Sequence, residues 1–246
     1  ILYISQAANT GGIVGKINRN KITDGEGNIL TNEAILAGIK EGSITAAVTD
    51  SYNTGDVTGY SGVGGVVGMM YNGEVADSYN LGSINTTRKP KGGDRTSVNM
   101  GGVVGDTTEG SGASAVIYNV YNKGQIGDDD YETYARHVGG IVGRLSGTVD
   151  KAYNTGNIYN GFSVVGGIAG WFYEGTISNA FNTGNITVYN NETNGAGSQV
   201  GGIAGGMAGY NTQSGVTNTI SNAYNLGTLR SFTTNSGGST NSIGGI

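Results

Sequence analysis

Cysteine is absent from this chain of 246 residues, and proline and histidine occur once each. Without cysteine there is no disulfide framework, no thiolate metal site and no cysteine nucleophile, a composition compatible with the outside of a bacterium. Charge is scarce as well: Lys, Arg, Asp and Glu make up 13% of the chain, so self-repulsion does not hold it open. The net charge of −5 and the pI near 4.8 leave no surplus of cations for nucleic acid or an anionic membrane. The one basic cluster, Arg88, Lys89, Lys91 and Arg95 diluted by Asp94, reads as a solvated loop. Long apolar runs are missing too. "VVGGIAGWF" from Val164 is too short and glycine-rich to insert in a bilayer, and the opening "ILYISQAANTGG" shows no basic stretch ahead of an apolar one.

What is abundant is glycine, at 48 positions. Aperiodic, it would suggest a flexible low-complexity chain, but it is periodic. Gly-Gly-aliphatic-small-Gly occurs at 11–15, 64–68, 101–105, 139–143, 166–170 and 201–205, with a final "GGI" at 244. Aromatic-Asn-x-Gly-x-aliphatic begins at Tyr52, Tyr79, Tyr121, Tyr153, Phe181 and Tyr224. The two phrases alternate strictly. Successive first glycines lie 53, 37, 38, 27, 35 and 43 residues apart, so the bare unit is 27 residues long and the rest carry insertions. A weaker element places Val or Ile four residues before each aromatic, as in "GEV" at 73, "GTV" at 147 and "GTI" at 175, and in Ile117 and Ile220 without the glycine. Each unit thus holds about three strand-like segments. The end of the chain inside a phrase reads as a piece of a longer polypeptide.

Units this short cannot bury a face alone and must stack on their neighbours. The segments are β-branched and aromatic and lack the Ala/Leu/Glu/Lys runs of helical repeats. The expected fold is therefore all-β: one β-solenoid over 1–246, most simply a right-handed parallel β-helix with strands about 4.8 Å apart. Stacking puts like over like. Asn53, Asn80, Asn122, Asn154, Asn182 and Asn225 should form an amide ladder, and the six aromatics a ring ladder facing inward or partly covered. Because Phe181 lacks the hydroxyl, the ring is what the position requires. The glycines should mark positive φ or close coil-to-coil approach. Insertions at 16–41, 83–100, 106–116, 125–138, 187–200, 206–218 and 228–243 are polar and read as exposed loops. They leave the coil after one phrase or the other, and a shared side would be the contact surface.

These phrases resemble the GLUG repeat: "GGIVG" and "GGVVG" followed by segments such as "GTI…AFNTGNI", in six copies across nearly the whole chain. The resemblance implies an extracellular β-helical stalk or adhesive module, of the kind found in large bacterial surface proteins similar to filamentous haemagglutinins and in non-catalytic regions of IgA-specific metallopeptidases. Such a peptidase needs His-Glu-x-x-His, and the lone His137 reads as structural. There is no Gly-x-Ser-x-Gly elbow, and the double glycines lack dinucleotide-fingerprint spacing. Asp128, Asp129, Asp130 and Glu132 could hold Ca²⁺ but lack a calcium-loop pattern and read as a solvated acidic loop. Asp50 and Asp77 share a repeat position, as a polysaccharide-cleaving β-helix enzyme would require, yet Asn119, Lys151, Asn179 and Asn222 follow there, which looks like a polar corner.

No catalytic, cofactor-binding or metal-binding residue is assigned, and no cofactor is expected. The functional expectation is a non-enzymatic adhesin or stalk segment at the bacterial surface, with loops meeting a host or neighbouring-cell protein or glycan. The alternatives are a plain spacer, a subunit of a self-assembling extracellular filament joined end to end, and a polysaccharide-active enzyme. Asn85, Asn185 and Asn191 stand in Asn-x-Ser/Thr contexts.

Overall fold

The structure, a computed structural model, describes residues 9–87, 98–107, 115–129, 133–161, 163–190, 197–208, 218–233 and 241–246. It is a parallel β-helix. The first sheet stacks seven short rungs: Thr10–Gly11, Gly62–Gly64, Asn99–Gly101, His137–Gly139, Val164–Gly166, Gln199–Gly201 and Ser242–Gly244. Each rung ends on the first glycine of the double-glycine phrase, and those glycines lie in register from Gly11 to Gly244.

The second sheet begins at the fourth residue of that phrase and runs through the weaker element into the aromatic-Asn phrase. Its fullest rungs are Val142–Asn154 and Ala169–Asn182. The third sheet carries the aliphatic that closes the aromatic-Asn phrase, from Val57–Gly59 through Ile84–Thr86, the single bridge at Ile126, Ile158–Asn160 and Ile186–Asn190 to Leu229–Thr233. The three segments read in each unit are these three faces.

Alternation along the strands makes the core narrow and double. Val63, Met100, Val138 and Val165 of the first sheet meet Ile84, Ile126, Ile158 and Ile186 of the third in one apolar column. A second column holds Val66, Val103, Ile141 and Ile168 from the glycine phrases with Val75, Ile117, Val149 and Ile177. All of these are fully buried, each worth about 1.5–3 kcal/mol relative to exposure.

Two corners bend the chain, and each uses a different residue type. At the polar corner Asp50, Asp77, Asn119, Lys151, Asn179 and Asn222 all adopt φ between 47° and 57°, the left-handed region that Asn and Asp tolerate best among residues bearing a side chain. The recurring double glycines, by contrast, have no positive φ; they are there for close approach. A Cβ on Gly140 would lie 2.0 Å from the Gly167 carbonyl oxygen of the next coil. At this corner two successive N–H groups share one carbonyl of the next coil: Ile141 and Val142 both donate to the Ile168 oxygen at 3.0 and 2.9 Å.

The asparagine ladder is continuous. Nδ2 of Asn53, Asn80, Asn122 and Asn154 each donates to the next asparagine's Oδ1 at 2.8 Å, and Asn182 donates to Asn225 at 2.7 Å. The second amide hydrogen is donated to the carbonyl two residues on, for example Asn154 to Gly156 at 2.8 Å, while Oδ1 also accepts the Gly156 N–H at 3.2 Å. The four inner asparagines are fully buried, so the ladder satisfies every polar atom it removes from water.

The first insertion departs from expectation. Residues 16–41 continue a strand, Val14–Asn18, and then fold into an α-helix, Asn32–Glu41, rather than an exposed loop. Thr31 caps its start by accepting from the Ala34 N–H, and Gly42 closes it at φ 76° with its N–H directed to Gly38 and Ile39 carbonyls. Ile35 is buried, and the helix lies against the second-sheet strands Ala115–Asn122 and Val142–Asn154. Lys40 closes the contact with Asp150 at 2.7 Å and sits over the Tyr118 ring. Burial pushes the Asp150 carboxyl up, but bonds from Lys40, Asn179 and Ser178 outweigh it and hold its pKa below the ordinary value. The insertions also do not share one side. Those after the glycine phrase leave from within the second sheet; those after the aromatic-Asn phrase leave between the third sheet and the first.

Candidate functional site

The aromatic ladder forms as a stack on the outer face of the strands, because each ring precedes an inward asparagine and strand residues alternate, and its four inner rings are partly covered, as expected. Tyr52, Tyr79, Tyr121, Tyr153, Phe181 and Tyr224 lie 4.6 to 5.1 Å apart between centroids, with planes within 7° of parallel. Phe181 stacks as closely as the tyrosines, so the hydroxyl is dispensable to the column. The ring faces are occupied by one another, and only ring edges point to solvent. A sugar ring stacks on an aromatic face, and here an open face exists only on the outermost rings, Tyr52 and Tyr224, which are 56% and 49% exposed. Burial, followed by the neighbouring Tyr79 and Tyr153, raises the pKa of the Tyr121 hydroxyl.

Asp50 and Asp77 occupy consecutive positions of the left-handed corner. Thr49 donates to Asp50 at 3.1 Å, and Asn119 Nδ2 donates to Asp77. Their place is set by backbone geometry. In the acidic loop, Asp128 accepts from Asn85 Nδ2, and its N–H donates to Thr133 Oγ1 at 3.0 Å; Asp130 and Glu132 lie outside the described residues. Among the described residues no group of three or more His, Cys, Asp or Glu is arranged to hold a metal ion. The basic cluster at 88–95 and Asn191 also lie outside them. Asn185 is exposed, with its Oδ1 accepting the Thr228 N–H at 3.0 Å.

A different region concentrates the chemistry. Two columns flank the double-glycine corner on its outer side. One lies two residues before the first glycine (Asn99, His137, Val164, Gln199), and the other five residues after it (Asp106, Arg144, Trp171, Gly206). The sharp corner folds them onto each other. His137 Nδ1 lies 2.7 Å from Asn99 Oδ1, and Asn99 Nδ2 donates to Asp106 Oδ2 at 2.5 Å. Since the amide nitrogen is directed at Asp106, its oxygen faces His137; Nδ1 is therefore the donor and Nε2 carries the lone pair. The Trp171 ring lies 5.7 Å from the imidazole.

Burial, then the Arg136 and Arg144 guanidinium groups, push the His137 pKa down to about 3. A histidine depressed when folded leaves stability unaffected above the unfolded pKa near 6.5 and costs stability as pH falls from there toward 3, by at most about 1.4 kcal/mol per pH unit. The His137 ring signals should therefore hold their neutral positions in an NMR titration from pH 8 to 5. The stability loss over that range should shrink in His137→Asn. A midpoint near 6.5 in the folded chain would contradict the buried placement.

Comparison of the chain with protein-family models, with curated proteins and with solved structures finds no match. Sequence reasoning isolated His137 but missed Arg144, Trp171, Asn99 and Asp106 as its neighbours. The available signal was contrast between copies: these two flanking positions change residue type in nearly every unit, whereas the asparagine position never does.

Proposed function

We propose that the chain is a rod-forming segment of an extracellular bacterial surface or secreted protein, non-catalytic itself, which holds its insertions out for contact with a surface protein or glycan. The observation that supports this most directly is the unbroken asparagine ladder from Asn53 to Asn225 beside six stacked rings. Coils locked in register by backbone, amide and ring contacts make a stiff axis. The resemblance to GLUG repeats points the same way, as do the low charge and the lack of cysteine. The corner geometry gives Asp50 and Asp77 a structural role that needs no catalysis.

The test compares beads coated with the intact chain and beads coated with a chain in which 88–97, 191–196 and 234–240 are replaced by short Gly-Ser turns. Both are applied to fixed epithelial cells and to immobilised bacterial cells. Adherence by the intact chain that falls at least tenfold on trimming supports loop display. No adherence by either version would leave a spacer and overturn the adhesive reading. Concentration-dependent fibres in the electron microscope would favour the filament instead.

A further inference from the structure

Arg144 is a cation set in place without an anion. Its Nε is buried with no hydrogen-bond partner, and it forms no salt bridge among the described residues. The contact it does make is with an aromatic face, its Cζ lying 5.8 Å from the Tyr173 ring centre. Tyr173 is the extra residue of a β-bulge: Leu145 pairs with Phe172 and Ser146 with Glu174. The bulge turns that ring beside Arg144 and leaves it 45% exposed. Two other cations of the fold are matched. Arg19 pairs with Glu74 at 2.6 Å, and Lys40 with Asp150 at 2.7 Å. Asp106, the rung neighbour of Arg144, has its carboxylate directed to Asn99.

Arg136 adds a second positive charge within electrostatic reach of His137, and on the first-sheet column Gln199 is exposed nearby, one rung beyond Val164. A buried Nε without a partner is costly, and an oxyanion supplies the counter-charge that the guanidinium lacks, its planar fork matching a carboxylate or sulfate. We propose that the surface at the double-glycine corner around Arg144, where Trp171 and Tyr173 flank it beside His137, binds an oxyanion, a carboxylate or sulfate group on a small acidic ligand. The site is local: it works against an overall charge of −5. It does not depend on the rod or loop-display reading, because it uses none of the trimmed insertions.

The chain carries its own reporters, since Trp171 is its one tryptophan and His137 its one histidine. Sodium sulfate and sodium glucuronate are titrated against the intact chain at constant ionic strength, with glucose and sodium chloride as controls. Trp171 fluorescence should change saturably, with a half-point of about 1 mM or below. The His137 pKa should rise, because an anion beside the imidazole offsets the two guanidinium groups. Response to either probe supports the site and names the group it prefers. Arg144→Gln should weaken binding at least tenfold, while Arg144→Lys, which keeps the charge but loses the fork, should retain part of it, both variants showing an unchanged β-sheet circular-dichroism spectrum. No saturable response in the intact chain, an equal response to glucose or chloride, or an undiminished response in a folded Arg144→Gln variant would overturn the proposal.

Discussion

Asn154→Ala should destabilise the solenoid by on the order of 4 kcal/mol, far more than an ordinary polar-to-alanine change. The Asn154 side chain donates to Asn182 and to the Gly156 carbonyl, and accepts from Asn122 and the Gly156 N–H. Alanine at 154 leaves all four partners in a site with no access to water, and each orphaned group costs about 1–3 kcal/mol. The comparison is Asn53→Ala at the start of the ladder, where the side chain is only half-buried and water can replace what is lost; a penalty of about 1 kcal/mol is expected there. Urea unfolding followed by circular dichroism gives both values. Hydrogen exchange at the Gly156 amide should accelerate in Asn154→Ala, showing that the damage begins in that coil. Equal midpoints for the two variants would mean that the ladder is a by-product of stacking and contributes little.

Gly140→Ala should be more disruptive still. The added carbon would meet the Gly167 carbonyl oxygen at 2.0 Å and the Asn154 Cβ and Cγ at 2.6 Å. The first obstacle is backbone of the next coil and the second is the ladder itself, so neither can swing aside as a flexible side chain would. Relief requires the coils to separate, breaking the shared carbonyl contacts at Ile141 and Val142, and the cost should exceed about 4 kcal/mol. Gly25→Ala is the control, since nothing lies within 4 Å of its Cβ position, and its effect should stay within about 0.5 kcal/mol. Soluble Gly140→Ala protein with an unaltered unfolding midpoint would refute the close-approach account of the double glycine.

Both effects were legible in the sequence because stacking turns one coil's requirement into every coil's requirement. Asparagine at six equivalent positions and glycine pairs at seven are the written form of two contacts repeated along an axis. The direction of the aromatic ring was harder to read. A ring and an asparagine side by side must face opposite ways, and which of them faces inward depends on whether the corner needs an amide more than the core needs a ring. The helix at Asn32–Glu41 left local marks, including Thr31 at its start, Lys40 in its last turn and Gly42 after it, but these were masked by the polarity of the insertion as a whole. The cluster around His137 was legible only in part. It depends on two columns seven residues apart in sequence being closed onto each other by the glycine corner, and on a bulge at Tyr173 that the sequence marks only as a spacing of 15 residues from Gly166 to Phe181 against 14 from Gly139 to Tyr153.

The same helix alters how the stack should fail under load. In a one-dimensional array each layer answers only to the layers it touches, so traction on one terminus peels them away in succession. The segment rooted in the first turn of the spiral instead reaches past the second and grips the third and fourth, through Tyr118 and Asp150. It acts as a splint. Peeling from the amino-terminal side must release several layers together, so resistance should be greatest at the outset of extension and then decline towards the far end.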